Sequence, residues 1–335
     1  MGDDTKIEWT DATWNPVRGC TRVSSGCENC YAERVAARFS RPGEPYHGLA
    51  RFNSKREPRW TGTVRMVPEH LGDPLRWKRP RRVFVNSMSD MFHEALTNEQ
   101  IAAVFGVMAA APQHQFQVLT KRAERMREWF EWVSREGVPW GECVLQASKM
   151  ATSEVEIPMG RGNTVNAWPL PNVWLGVSCE DQQRADERIP LLLQCPAEIR
   201  WVSAEPLLGP IDFQDQRGWL EPFQDIDPAL RRTPRLNWIV VGGESGPGAR
   251  PSNVDWIRGV VRQCGEASVP VFVKQLGAYV TCDTLGHEVD GKWPKLNAEA
   301  IDDNPPRIKL RDRKGGDPSE WSPDLRVRQW PEVRR

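Results

Sequence analysis

Six short runs along the chain are apolar and β-branched without interruption, and each stops at a polar residue: RVFVNS (82–87), FQVLTK (116–121), VWLGVS (173–178), IRWVSAE (199–205), WIVVGGES (238–245) and VPVFVKQ (269–275). Continuous rather than alternating apolar character is the pattern of parallel strands covered on both faces. Between these runs the spacing turns helical. Thr97 and Gln100 read as a capping box, after which Ile101, Val104, Phe105 and Met108 share one stripe that Pro112 closes. Met126, Trp129, Phe130 and Val133 repeat the spacing, with Gly137 as the expected stop, and Ile257, Val260, Val261 and Cys264 do so again before Gly265. Such alternation predicts an α/β fold of βα units joined by right-handed crossovers. Adding strands near 13–18 and 63–67 gives about eight units, the number of a closed (βα) barrel. A (βα) barrel over 1–280, complete or partial and TIM-like, is therefore the first expectation, and a doubly wound open sheet is the second.

Three stretches break the rhythm. Residues 138–171 and 209–236 are rich in Gly, Pro and polar groups and read as insertions; from about 281 to 335 the chain is polar and Pro-punctuated, an appended C-terminal tail. Long irregular insertions often serve as lids or binding loops. No internal repeat is visible.

Composition narrows the function classes. The 335 residues hold 45 Lys+Arg and 45 Asp+Glu, so a protein that merely coats nucleic acid is disfavoured. No run of 18 apolar residues exists, which excludes a helical membrane span, and MGDDTKIEWTDATW lacks the basic and apolar regions of a signal peptide. The expected location is cytoplasmic. Charge is nevertheless uneven: residues 18–82 carry 15 Lys/Arg against 6 Asp/Glu, densest at Arg76, Lys78, Arg79, Arg81 and Arg82. That run reads as a solvated loop or as a face for a phosphate-bearing partner. The 16 tryptophans are expected mostly in packing.

Of the eight cysteines, Cys143, Cys179, Cys195, Cys264 and Cys282 are scattered and read as small buried hydrophobes in a reducing compartment. The other three crowd into Cys20-TRVSSG-Cys27-EN-Cys30, with Gly19 and Gly26 to let the backbone fold around something small. Three readings stand. A cubane iron–sulfur cluster suits thiolates, and three ligands leave one iron open to the amino and carboxylate groups of S-adenosylmethionine, whose reductive cleavage yields a 5′-deoxyadenosyl radical. A structural zinc needs a fourth ligand, for which His47 or Cys179 is available. The third reading is that the thiols are unligated.

The C-terminal ends of barrel strands form the active face. Here they bring Asn86, Ser87 and Asp90, then Thr120 and Lys121, Ser178 and Glu180, Ser203 and Glu205, Glu244 and Ser245, and Lys274 and Gln275. The cysteine loop follows the first expected strand and opens on the same side. Glu205, Glu244, Lys121 and Lys274 are the catalytic candidates, and Lys121 with Arg122, at the end of the FQVLTK run, reads as a pair of cations for a carboxylate or as the start of a surface helix. Ser87, Lys121, Ser178, Glu180 and Glu205 are candidates for holding a cofactor, Glu205 being biased toward extended backbone by Pro206. For each, solvation of a strand end or a structural hydrogen bond is the plain alternative. Likewise His93 is an acid–base candidate or a packing histidine, and Gly242-Gly243 is a turn or a ligand-facing loop.

The opening IEWTDATWNPVRGCTRVSSGCENCYAER closely resembles a phage and prophage family known by its three-cysteine motif, a divergent radical-SAM-like family. FVNSMSDMFHE, LTKRAERM, WLGVSCEDQQRADERI, VSAEPLLGP, VVGGESGPGARP, VPVFVKQLG and DPSEWSPDLRVRQWP continue the likeness. The resemblance implies that Cys20, Cys27 and Cys30 ligate a [4Fe–4S] cluster, that S-adenosylmethionine and an electron donor are partners, and that the barrel is of the radical-SAM kind. The loop differs from the common C-x3-C-x-Φ-C spacing in its six-residue first gap and in Asn29 at the Φ position, with Tyr31, directly after Cys30, as the aromatic substitute beside the cofactor. A nucleotide or nucleic-acid substrate agrees with the basic segment 18–82. The competing class is a non-catalytic module, stabilised by zinc or a cluster, that binds nucleic acid or a partner protein.

Overall fold

The computed structural model describes residues 5, 7–152, 157, 168–214, 218–220, 234–282 and 307–332. The chain divides into two compact units: residues 1–177 with 194–198, and residues 178–193 with 199–335. Among the described residues no helix is long and apolar enough to cross a membrane. The fold is mixed α/β in both units, as the alternating pattern predicts.

In the first unit four strands run parallel in the order β1 (Ala12–Trp14), β2 (Arg82–Val85), β3 (Gln115–Thr120) and β4 (Val173–Ser178, whose last residue starts the second unit). Their buried faces carry Trp14, Val83, Val85, Phe116, Val118, Val173 and Leu175, and this two-sided burial is why the runs lack alternation. The capping box is present: Thr97 Oγ1 accepts from Gln100 N, and Gln100 Oε1 accepts from Thr97 N, at the start of the helix Asn98–Ala110. The helix Ala123–Arg135 buries Met126, Trp129, Phe130 and Val133 and ends beside Gly137 at φ 60°, as predicted. Trp129 stacks on Phe105 at 4.5 Å between ring centroids and meets Trp168 edge-on at 5.7 Å, so part of the tryptophan content is core packing.

Three expectations change. The segment 63–67 does not supply a barrel strand: Arg65–Met66 pairs antiparallel with Val17–Arg18, which Asn15-Pro16 separates from β1. The 138–171 stretch is not simply irregular, because Trp140–Met150 is a helix burying Cys143, Val144 and Ala147. It lies so close to Asn98–Ala110 that a Cβ on Gly106 would stand 2.0 Å from the Cys143 carbonyl oxygen. Finally, the helix Val254–Glu266 runs through Gly265 and ends two residues before Ser268, whose φ is 54°.

In the second unit three parallel strands stand in the order β5 (Ile199–Ala204), β6 (Trp238–Gly242) and β7 (Val271–Gln275), with the helices Gln182–Leu193 and Val254–Glu266. The described part of the tail lies along β7: Val273 N donates to Val327 O at 2.9 Å, Gln329 N donates to Val271 O at 3.0 Å, and Trp238 Nε1 donates to Gln329 O at 2.8 Å. Much of the 209–236 stretch and residues 283–306 fall outside the described residues.

Candidate functional site

The cysteine loop belongs to the first unit. Gly19, at φ +93°, opens it, and only glycine fits there: a Cβ would sit 2.1 Å from the Thr63 carbonyl oxygen. Gly26 differs, lying within a 3-10 turn at Ser25–Cys27 without left-handed backbone. Cys30 is the N-cap residue of the helix Tyr31–Arg38, and its amide donates to Cys27 O at 3.4 Å. That helix turns its alanines, Ala32, Ala36 and Ala37, toward Ala50 and Met88, and Cys30 packs against the same cluster. Small residues let the helix come close, which fixes where its N-terminal cysteine stands.

Two of the three thiols are shifted by their surroundings. Burial pushes the Cys20 thiol up to about 12; negative charge on Asp90 and Cys30 adds to this, while the Arg122 guanidinium opposes it. Burial also raises Cys30, with charge on Cys27 adding and Lys121 opposing. Arg122 is the hub of the site. Its side chain is 4 % exposed and donates to Asp90 Oδ2 at 3.1 Å, Glu94 Oε1 at 2.9 Å, Thr21 Oγ1 at 2.7 Å and Thr21 O at 3.2 Å, with Nη1 3.8 Å from Cys20 Sγ. Asp90 in turn accepts from Thr120 Oγ1 at 2.7 Å, Phe92 N at 3.0 Å and Lys121 N at 3.2 Å. The polar ends of β2 and β3 thus clamp the cysteine loop through one buried ion pair.

Other partners extend the clamp. His93 Nδ1 accepts from Ala95 N at 3.1 Å, so its Nε2 carries the proton and faces Thr21 Oγ1 at 2.9 Å. Burial and then Arg122 hold His93 below the ordinary histidine pKa, which favours its neutral form. Glu33, 1 % exposed, ion-pairs with Arg22 and accepts from Trp60 N at 2.7 Å. Tyr31 donates to Ser87 O at 2.6 Å, and Ser87 Oγ donates to Asn15 Oδ1 at 3.2 Å. Asn86, at the end of β2, is 3 % exposed and left-handed at φ 60°, yet among the described residues neither oxygen nor nitrogen of its carboxamide has a hydrogen-bond partner.

Sequence reasoning named Cys20, Cys27, Cys30, Tyr31, Ser87, Asn86, Asp90, Thr120, Lys121 and Arg122, and the first unit holds them all. It missed Thr21, Arg22, Glu33, Glu94 and Asn15. The i, i+11 separation of Arg22 and Glu33 follows no local periodicity, and Glu33 sits in a helix whose charged residues look solvent-facing. Within the basic run, Arg82 pairs with Asp11 at 3.1 Å and Arg81 lies 5.2 Å over the Trp77 ring, whereas Lys78 and Arg79 are exposed.

The remaining candidates belong to the second unit. Glu180 is fully buried and pairs with Arg188 at 3.2 Å, and the Ser178 carbonyl accepts from the same guanidinium at 2.6 Å. Glu205 stands 3.1 Å from Lys274 Nζ and 3.5 Å from Ser203 Oγ. Gly242 gives it room, since a Cβ there would lie 2.8 Å from Glu205 Oε1. Glu244 accepts from Arg250 N at 2.8 Å, Nε at 3.0 Å and Nη2 at 2.7 Å. Gly243 is a packing glycine, its Cβ position 2.2 Å from Leu276 O, and Gln275 Nε2 donates to its carbonyl at 2.9 Å.

The donor chemistry fits a cluster. Cys20, Cys27 and Cys30 are a soft donor set, with Arg122 Nη1 3.8 Å from Cys20 Sγ. Among the described residues no three His, Cys, Asp or Glu side chains are arranged to hold a metal ion. A zinc draws its sulfurs to about 2.3 Å from one point, whereas a cubane gives each cysteine its own iron. Of the fourth ligands considered for zinc, His47 is exposed, and Cys179 is buried with its thiol 3.7 Å from Arg184 O.

A chain of parallel βα units with a thiol loop clamped by a buried ion pair defines the class. The chain belongs to the DUF5131 family, described as proteins of unknown function, whose model matches residues 4–305. No curated protein matches it, and no solved structure does.

Proposed function

We propose that this chain is a radical-SAM-like iron–sulfur enzyme, built on a complete or partial (βα) barrel, that acts in the cytoplasm on a nucleotide or nucleic-acid substrate and draws on an electron donor. The observation that carries the reading is the thiol loop itself: three cysteines within eleven residues, with Arg122 Nη1 3.8 Å from Cys20 Sγ. When bound, a [4Fe–4S] cluster supplies the electron that cleaves the sulfonium of S-adenosylmethionine.

The chain's own residues do the rest. Cys20, Cys27 and Cys30 are the residues that would hold the cluster, and Gly19 and Arg122 fix the loop that carries them. Arg122 and Lys121 offset the negative charge that thiolates bring into a half-buried site. Asn86 offers an unspent donor and acceptor, the complement of a ligand with the same pair of groups. Tyr31, Ser87 and Lys121 surround the loop as orienting groups. In the second unit Glu205 and Lys274 hold each other in a polar pair able to bind or relay a proton. Glu180 is already satisfied by Arg188, so it supports β4 rather than binding a ligand. The second reading, a metal-stabilised nucleic-acid or partner-binding module, rests on exposed Lys78 and Arg79.

The test is anaerobic reconstitution with iron and sulfide, followed by reduction with dithionite in the presence of S-adenosylmethionine. The expected result is a brown protein that releases 5′-deoxyadenosine and loses that activity in Cys20→Ala, Cys27→Ala and Cys30→Ala. A colourless protein with one tightly held zinc and no cleavage overturns the proposal.

A further inference from the structure

The second unit carries a cavity of about 530 Å³ that the proposed chemistry does not use. Its walls are the Gly246–Ala249 turn, residues 277–280 and residues 307–313 other than Arg311. The antiparallel pairing of Val280–Thr281 with Arg307–Ile308 brings two of these walls together. Gly246 and Gly248, at φ 100° and 77°, leave bare backbone on the third. The volume lies within the range of small-ligand sites.

Charge gives the cavity its chemistry. Arg307, Lys309 and Arg313 all line it. Lys309 and Arg313 are exposed and, among the described residues, have no carboxylate partner. Arg307 is held over the Tyr279 ring, its Cζ 4.4 Å from the centroid. The one acid of the lining, Asp312, is committed to its own turn, accepting from Gly316 N at 2.6 Å and Lys314 N at 3.2 Å. By contrast Arg311, outside the cavity, is paired with Glu320 at 3.1 Å. Three cations around one concavity exceed what a single carboxylate satisfies, since one guanidinium fork already matches a carboxylate. Two forks and an ammonium match the spread oxygens of a di- or triphosphate, and a concave wall strengthens their field.

We propose that this cavity binds a small molecule bearing a di- or triphosphate, either a nucleotide or a free polyphosphate. It stands independently of the cluster reading, because its lining belongs to the second unit and the cysteine loop to the first.

The experiment is calorimetric titration of the full-length chain with tripolyphosphate and, separately, with ATP. Four proteins are compared: the unaltered chain, the double variant Lys309→Gln/Arg313→Gln, Arg311→Gln and Tyr279→Ala. Both ligands are expected to bind the unaltered chain. The double variant, whose altered side chains are exposed and leave the fold intact by circular dichroism, is expected to weaken both at least about tenfold, the worth of one charge-assisted hydrogen bond. Arg311→Gln leaves both affinities unchanged. Equal affinity for the two ligands assigns the site to polyphosphate; tighter ATP binding that Tyr279→Ala removes assigns it to nucleotide. Absence of binding by both ligands overturns the proposal. So does binding that the double variant leaves intact, or binding of a single-stranded oligonucleotide alone.

Discussion

Removing the guanidinium at position 122 tests the clamp on the cysteine loop. Arg122→Ala deletes donors to Asp90, Glu94 and Thr21. Breaking a buried ion pair by truncating one partner costs about 3–5 kcal/mol, because the other charge stays buried. Here Asp90 is 8 % exposed but keeps three donors, from Thr120 Oγ1, Phe92 N and Lys121 N. The loss therefore falls at the lower end, about 3 kcal/mol, more than a hundredfold in the folding equilibrium. Urea titration followed by circular dichroism measures it. Combining Arg122→Ala with Asp90→Asn removes the stranded charge, so the double variant is expected to be less destabilised than the sum of the singles by about 1–3 kcal/mol. Iron retained after reconstitution is expected to fall in Arg122→Ala, because Thr21 beside Cys20 loses its anchor. A loss below about 1 kcal/mol, additive with Asp90→Asn, refutes the reasoning, since it is the size of an exposed pair.

Four further outcomes follow from particular contacts. Gly19→Ala forces a side chain onto left-handed backbone and into the Thr63 carbonyl; it is expected to cost at least about 2 kcal/mol in urea titration and to lower iron content. Trp129→Ala empties the stack on Phe105 and costs about 3–5 kcal/mol, measured the same way. Glu180→Ala strands Arg188 in the core and costs about 3–5 kcal/mol, whereas a cofactor-binding role for Glu180 predicts normal stability with lost binding. The pKa of His93 is held below its unfolded value, so the unfolded chain takes up the proton first as pH falls. Its contribution is complete above the unfolded pKa of about 6.5 and is lost as pH drops through that value toward the folded one. Stability of the native chain is expected to decline over that window, and His93→Gln to flatten the decline.

The strands were legible because burial on both faces leaves an unbroken apolar signature: RVFV, FQVLT, VWLGVS and WIVVG lie within the observed strands or fill them. The capping box at Thr97 was legible for a similar reason, being a local pairing of two side chains three residues apart. The helix Trp140–Met150 escaped notice because only Cys143, Val144 and Ala147 face inward, too few apolar positions to set a stripe against Gly and Pro neighbours. At the site, the cysteines declared themselves by spacing, and Asp90, Thr120 and Arg122 by standing at strand ends. The clamp they form did not, since Arg122 to Thr21 spans 101 positions and depends on which strands are neighbours. Gly19 was marked for flexibility, but its physical reason, the Thr63 carbonyl against its α-carbon, is a long-range contact. Glu180 shows the reverse case: its pairing with Arg188, one helix further on, left no mark in the sequence at the strand end.

Metal and acid-labile sulfide counts after anaerobic reconstitution, joined to electron paramagnetic resonance with and without S-adenosylmethionine, test the central claim most directly. The account predicts about four irons and four sulfides per chain, held by the three cysteines. It also predicts a reduced-cluster signal that shifts when S-adenosylmethionine is added. One zinc per chain without sulfide, or a cluster signal indifferent to S-adenosylmethionine, contradicts it.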